Sequence, residues 1–406
     1  MTKETGPRPE HAKYLILGGG MTGDAAVHGI REIDPQGSIA VIGAELHPAY
    51  DRPPLSKGLW KGKSLETIWR KDDVAGVAFH RGRRAVRLDA RNKRVTDDQG
   101  AEHSYDRLLF ATGATPRRLD AGADAPGIIY FRTLDDYRRL HDMAGEGRRF
   151  AVVGGGFIGS EIAAALSMAG SKVTLLFPGA GISGRVVPAD LAESLNHYYR
   201  NKGVQVVPRL LALSIEGTAP MKLRAKTGDG GSEKTLEVDG VVAGIGVQPN
   251  VALAQEAGLE IENGIRVEGS LRTSHPEVFA AGDVASLRHP VLGHLVRVEH
   301  EDNANTMGRL AGRSMAGESV VFDHLSMFYS DLFDLGYEAV GDLDPRLETF
   351  ADWKEPFRQG VVYYLRDGRV RGVLLWNVWE QVDAARHLIS EPGPFRKADL
   401  KGRIPA

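Results

Sequence analysis

The chain has 406 residues and a hydrophobic fraction of 42%, enough for two or three domains that each bury a core, which excludes fibrous, disordered and short disulfide-stapled classes. Its 51 basic and 53 acidic residues leave a formal charge of -2, so no long-range positive field favours nucleic acid or an anionic membrane. Cysteine is absent. That removes disulfides, thiolate nucleophiles, iron-sulfur ligation and any Cys-x-x-Cys redox pair, so electrons moved by this chain are carried by something other than a thiol.

Residues 1–13 mix acids and bases with two prolines, unlike the apolar core of a signal peptide or an acid-poor transit peptide. No run of about 18 apolar residues occurs, so a membrane span is not expected. A cytoplasmic protein is the expectation.

Residues 13–17 read as an apolar strand that runs into Gly18-Gly19-Gly20-Met21-Thr22-Gly23 and a helix opening near Asp24. A second strand over 38–43 ends beside Glu45. Strand, glycine turn, helix, strand and acid is the order of a nucleotide-binding βαβ unit. The stretch AYDRPPLSKGLW follows, with Arg52, two stiffening prolines and Lys57. It reads equally as a surface loop or as part of a site. Hairpin strands over 85–88 and 93–96 lead to a strand over 107–113 that stops at Ala111-Thr112-Gly113.

The pattern then repeats. A strand over 149–153 meets Gly154-Gly155-Gly156-Phe157-Ile158-Gly159, a helix spans 160–168 and a strand spans 172–177. The two glycine turns lie 136 residues apart, counted from Gly18 to Gly154, which argues for two dinucleotide sites rather than one larger sheet. A strand over 240–244 ends at a turn holding Gly246, and a brief strand after His275 ends at Gly282-Asp283. Asp283 thus falls at a strand's carboxyl end, where open α/β sheets bind ligands, with helix capping as the plainer alternative. A helix is expected over 303–315. From about Ser326 the texture is α+β: strands over 361–365 and 370–375 flank Asp367-Gly368, the signal of a tight hairpin, before a helix over 377–389 and a polar tail.

The glycine turns, Arg52-Pro53-Pro54-Leu55-Ser56-Lys57, Ala111-Thr112-Gly113 and Ala281-Gly282-Asp283 together resemble the FAD- and NAD(P)-dependent reductases related to glutathione reductase. Within that superfamily the chain is similar to the oxygenase-coupled ferredoxin reductases and the apoptosis-inducing factors. The latter likeness rests on Leu176-Phe177-Pro178, Gly184-Arg185-Val186-Val187-Pro188, Val298-Glu299-His300, Met327-Phe328-Tyr329-Ser330-Asp331-Leu332, Gly336-Tyr337-Glu338-Ala339 and Leu375-Trp376-Asn377. It spans roughly residues 12–390.

The resemblance implies an α/β fold with two Rossmann-like dinucleotide-binding domains and a C-terminal α+β domain. FAD would take residues 10–118 and 245–325, the nicotinamide nucleotide 119–244, and the C-terminal domain 326–406. Gly18, Gly20 and Gly23 would lie under the FAD pyrophosphate, Glu45 would take the adenosine ribose and Asp283 the ribityl chain. Arg52, Ala111, Thr112, Gly113, Gly246 and Gly282 would lie near cofactor. Gly154, Gly156 and Gly159 would hold the nicotinamide nucleotide. Lys57 would sit by the flavin's reactive ring with Glu161 as its partner; without the resemblance, a first-turn glutamate simply suits the helix dipole. Glu299 and His300 match a Glu-His pair near the nicotinamide, with an ordinary interface histidine as the rival reading. Tyr329 stands where the family usually has tryptophan.

NADH is favoured over NADPH, because Phe177 ends the second unit's strand and no arginine cluster follows it. No metal site is expected. The implied activity is reduction of FAD by NAD(P)H and delivery of electrons to an external acceptor, a small [2Fe-2S] ferredoxin first and a quinone second, by a monomer or homodimer. The rival is a redox-sensing protein that holds reduced FAD against NAD+ and changes oligomeric state. A structural protein that lost its chemistry is the weakest reading. The segment 345–353 reads as a short connection where animal apoptosis-inducing factors carry an insertion, so a cell-death role is not implied.

Overall fold

The computed structural model describes residues 10–71, 74–120, 124–228 and 231–406. The first nine residues, which belong to the segment read as neither signal nor transit peptide, lie outside the described residues. The chain forms two compact units. One comprises residues up to Asp51, Glu66–Thr115 and Pro249–Ser326, and the other Arg52–Leu65, Pro116–Gln248 and Met327–Ala406.

The first unit is built on a sheet whose strands run in the order Val77–Arg81, Ile39–Gly43, Glu10–Leu17, Glu102–Phe110, Arg94–Asp97 and Ala85–Asp89, with Val278–Ala280 also paired to Glu102–Phe110. The parallel members read as unbroken apolar runs because they are covered on both faces. Leu15, Ile16, Leu108, Leu109 and Phe110 are fully buried in one core with Ile30, Phe279 and Met307. The helix Met21–Ile33 turns Ala25, Ala26, Val27 and Ile30 inward and packs on the helix Glu301–Met315. Glycines bring the two backbones together. A Cβ on Gly29 would lie 2.0 Å from the Arg309 carbonyl oxygen, and one on Gly312 would lie 2.1 Å from that of Ala26.

The second unit holds a parallel sheet in the order Gln205–Pro208, Lys172–Phe177, Arg149–Val153, Gly240–Ala243 and Ile128–Ile129. An antiparallel meander, Leu210–Glu216, Met221–Thr227 and Glu233–Val238, packs Leu223 and Ala225 onto its core. A five-stranded antiparallel sheet follows in the order Met327–Leu332, Leu335–Gly341, Arg369–Trp376, Gln359–Arg366 and Glu348–Glu355. Its Asp367-Gly368 hairpin has φ of 52° and 72° at the two central residues, the left-handed pair that a two-residue turn needs. The fold is therefore the expected α/β one, with two glycine-turn modules and an α+β C-terminal part.

Four local expectations need correction. The helix expected over 160–168 is Phe157–Met168, which puts Glu161 in its second turn rather than its first. The helix expected over 377–389 is Val382–Ser390, because Asn377 and Glu380 have φ of 49° and 62°, outside any right-handed helix. Asn377 instead accepts from the Gly336 amide at 2.8 Å and donates to the Arg358 carbonyl at 2.9 Å. The polar tail is packed: Leu400 and Ile404 are 0% and 1% exposed. The 345–353 connection contains most of the edge strand Glu348–Glu355, where Thr349, Phe350 and Trp353 suit a pleated surface. No helix among the described residues is long and apolar enough to cross a membrane.

Candidate active site

Both glycine turns have the same backbone geometry. Gly18 has φ of +123° and a Cβ there would fall 2.1 Å from the Ala111 carbonyl oxygen; at Gly154 the values are +115° and 2.3 Å from the Gly244 oxygen. A side chain would collide with the neighbouring strand's end, so only glycine fits. Gly23 and Gly159 lie so close to the turn that a Cβ would be 2.0 Å and 1.8 Å from the oxygens of Gly18 and Gly154. The helices they belong to start after Gly20 and Gly156, whose backbones are extended and which supply no side-chain cap. First-turn amides are thus left for an anion at the positive end of each helix. This cradle fits a dinucleotide diphosphate in each unit.

In the first unit, Glu45, Thr112 with Gly113, and Gly282 with Asp283 follow the carboxyl ends of Ile39–Gly43, Glu102–Phe110 and Val278–Ala280. Thr112 and Gly113 are locked by Asn250, whose amide group donates to the Thr112 carbonyl at 2.7 Å while its backbone N–H donates to Gly113 at 3.0 Å. Glu45 accepts from the Tyr50 hydroxyl at 2.5 Å. Gly282 has φ of +74° in the single turn Gly282–Val284, and Asp283 beside it is buried. Arg297 donates to the Asp283 backbone carbonyl at 3.0 Å and pairs with Glu299 at 2.6 Å. His300 is the N-cap residue of Glu301–Met315, but its side chain makes no capping bond.

The second unit brings three expected residues together. Pro53 and Pro54 preset the φ of a short turn, Pro53–Ser56, that Arg52 caps and that Lys57 ends. Leu55 and Leu59 anchor this segment in the core, the Trp60 indole donates to the Leu55 carbonyl at 2.8 Å, and Arg52 donates to the Arg132 carbonyl at 3.0 Å. Lys57 is thereby held with Nζ 2.9 Å from Glu161 Oε2, the two side chains being 10% and 1% exposed. The Ser56 hydroxyl donates to the same oxygen, and that of Ser330 donates to Oε1 at 2.6 Å. Lys57 Nζ also stands 4.9 Å from the centre of the Tyr329 ring. Within the second unit, Arg52–Trp60 thus holds a nearly buried ion pair.

The pair's surroundings are aromatic. Phe157 meets Phe328 edge-on, with ring centres 5.4 Å apart. Burial first, and the Glu161 charge second, push the Tyr199 and Tyr337 hydroxyls well above their ordinary range. A low-dielectric setting of this kind strengthens the field of the lysine on any neighbouring group.

Gly246 has φ of +96° and its carbonyl accepts from the Arg117 amide at 2.9 Å. Phe177 is 3% exposed with its ring 2.7 Å from where a Cβ on Gly155 would lie. It covers the turn and offers no acceptor for a ribose hydroxyl. Arg185 is exposed.

The roles of Ser56, Ser330 and Asn250 were not legible in advance. Each is a small polar residue beside a recognised motif position, one before Lys57, one after Tyr329 and one at the end of the Gly246 turn. That adjacency was the available signal.

A family described as pyridine nucleotide-disulphide oxidoreductase matches residues 12–308. Another, described as apoptosis-inducing factor, mitochondrion-associated, C-term, matches residues 311–356 and 351–391. The chain is similar to the anthranilate 1,2-dioxygenase system ferredoxin-NAD(+) reductase component of Burkholderia cepacia, 33% identical with 95% of this chain and 97% of that protein covered. It is 29% identical to a mitochondrial protein of Drosophila melanogaster named after apoptosis-inducing factor 1, covering 94% of this chain but 64% of that protein. A chain of the covalent putidaredoxin reductase-putidaredoxin complex superposes with a TM-score of 0.87 and 27% identity, with 96% and 95% of the two chains covered.

Proposed function

Because this chain belongs to the pyridine nucleotide-disulphide oxidoreductase family, we propose that it is an FAD-containing reductase that draws on NADH, with NADPH as the alternative, and reduces a small [2Fe-2S] ferredoxin. FAD, when bound, would supply the redox chemistry between a nicotinamide nucleotide and the acceptor. The observation that carries the reading is the Lys57–Glu161 pair, fixed by two serine hydroxyls in a chain without cysteine. Disulfide relays are closed to it, so electrons would pass from the flavin to the acceptor without a thiol intermediate.

Gly18, Gly20 and Gly23 let backbone approach the FAD diphosphate, while Glu45 binds the adenosine ribose and Asp283 the ribityl chain. Ala111, Thr112, Gly113 and Gly282 line the same path, and Arg52 complements the cofactor's charge. Gly154, Gly156 and Gly159 serve the nicotinamide nucleotide in the same way, with Gly246, Glu299, His300 and Tyr329 near its ring end. Lys57 presents a cation where negative charge develops on the flavin, and Glu161 keeps that cation aimed. The corresponding domains are 10–118 with 245–325, 119–244, and 326–406. A quinone is the less specific acceptor, the assembly is a monomer or homodimer, and the compartment is the cytoplasm.

Glu161→Gln tests the pair. We expect flavin reduction by NADH to slow by about 10²-fold with FAD content unchanged; an unaltered reduction rate would remove Glu161 from the chemistry. The apoptosis-inducing-factor match over the C-terminal part favours a second reading, an NADH-responsive sensor that changes oligomeric state. A reductase turns over with ferredoxin at constant mass, whereas a sensor changes mass with NADH alone.

A further inference from the structure

Three strands of the first unit bring together side chains that the proposed reductase chemistry does not use. Glu10 on Glu10–Leu17 and His103 on Glu102–Phe110 face each other in register, and His80 comes from Val77–Arg81. One donor atom from each of the three lies within 4.8 Å of the others. The His80 and His103 rings are 4.8 Å apart between centres, and His80 Nε2 is 3.4 Å from Glu10 Oε2.

His103 is 2% exposed, and its Nδ1 meets no hydrogen-bond partner among the described residues, nor does His80 Nε2. A buried ring nitrogen without a partner costs free energy unless something else meets it. The other nitrogen of His103 is committed: Nε2 lies 3.1 Å from Asp97 Oδ2, and Asp97 is itself held by Arg83 at 2.8 Å. A carboxylate on one imidazole nitrogen fixes the tautomer that leaves a lone pair on the other, which is how metal-binding histidines are oriented.

We propose that Glu10, His80 and His103 bind a divalent transition-metal ion, zinc by donor type, through Glu10 Oε2, His80 Nε2 and His103 Nδ1, with Asp97 orienting His103. Two imidazoles and a carboxylate without sulfur suit zinc. Glu10, with its side chain 55% exposed, opens the site to solvent, so an ion can enter and a water can complete the shell. The ion would tie the first strand of the glycine-turn module to its neighbours.

The test is zinc binding by FAD-loaded, chelator-treated protein, followed by equilibrium dialysis and thermal unfolding. We expect one equivalent of tightly bound zinc and a higher unfolding temperature. Glu10→Gln and His80→Asn should each weaken binding by about tenfold or more and abolish the thermal shift. Glu10 is exposed, so its variant folds even if the histidine variant does not. Absence of bound zinc in the parent protein, or parent-like binding in Glu10→Gln, overturns the proposal.

Discussion

Glu161 shows how a single side chain is fixed from several directions. It is 2% exposed, and its carboxylate accepts from one ammonium and two hydroxyls. Removing Lys57 would leave a buried charge with neutral donors only. Lys57→Met should therefore cost about 3–5 kcal/mol in urea unfolding, whereas adding Glu161→Met should recover most of that loss. Strictly additive losses in the double variant would contradict a coupled pair. Asp334 is a more exposed case. The Lys202 ammonium first and the Tyr198 hydroxyl second hold its carboxyl down at about 2, below the ordinary 3.8. The folded state thus binds this proton more weakly than the unfolded state. The contribution is complete above the ordinary value and is lost as pH falls from there through about 2. Asp334→Asn should flatten that part of the acid limb in thermal unfolding measured against pH.

At the level of elements, the helices Met21–Ile33 and Glu301–Met315 touch through backbone, so their spacing has no slack. Gly312→Ala should push them apart at a cost of about 1–3 kcal/mol and loosen FAD, because Met21–Ile33 carries the first glycine turn; a neutral unfolding temperature with normal FAD retention would argue against this. Both modules were legible in the sequence, since glycine turns between an apolar strand and a helix are local features with fixed spacing. Lys57, Glu161 and Tyr329 were legible only through resemblance, and the structure brings these three together. Ser56 and Ser330 were not, because a serine's value depends on which distant carboxylate folding delivers to it. The same holds for Gly29 and Gly312, whose need for glycine arises from a crossing between segments far apart in the chain. Edge strand Glu348–Glu355 and the packed end at Leu400 were missed because charged residues interrupt their few apolar ones, and only strand pairing and burial in the fold distinguish them from a loop and a tail.

For the whole molecule, the decisive feature is chemical: a chain of this family with no cysteine has no internal disulfide relay. Phe177 over the second glycine turn leaves a ribose without its usual acid, and no arginine cluster follows to take a 2′-phosphate. We expect kcat/KM for NADH to exceed that for NADPH by roughly tenfold, read from steady-state rates with one artificial acceptor; equal values would show that the two cofactors are told apart elsewhere or not at all. The most direct measurement is the rate of NADH oxidation by the FAD-loaded protein with and without a [2Fe-2S] ferredoxin, with native mass recorded before and after NADH. A ferredoxin-dependent rate at least about tenfold above the acceptor-free rate, at constant mass, is the expected result. No acceleration by ferredoxin, together with a change of mass on NADH alone, would contradict it.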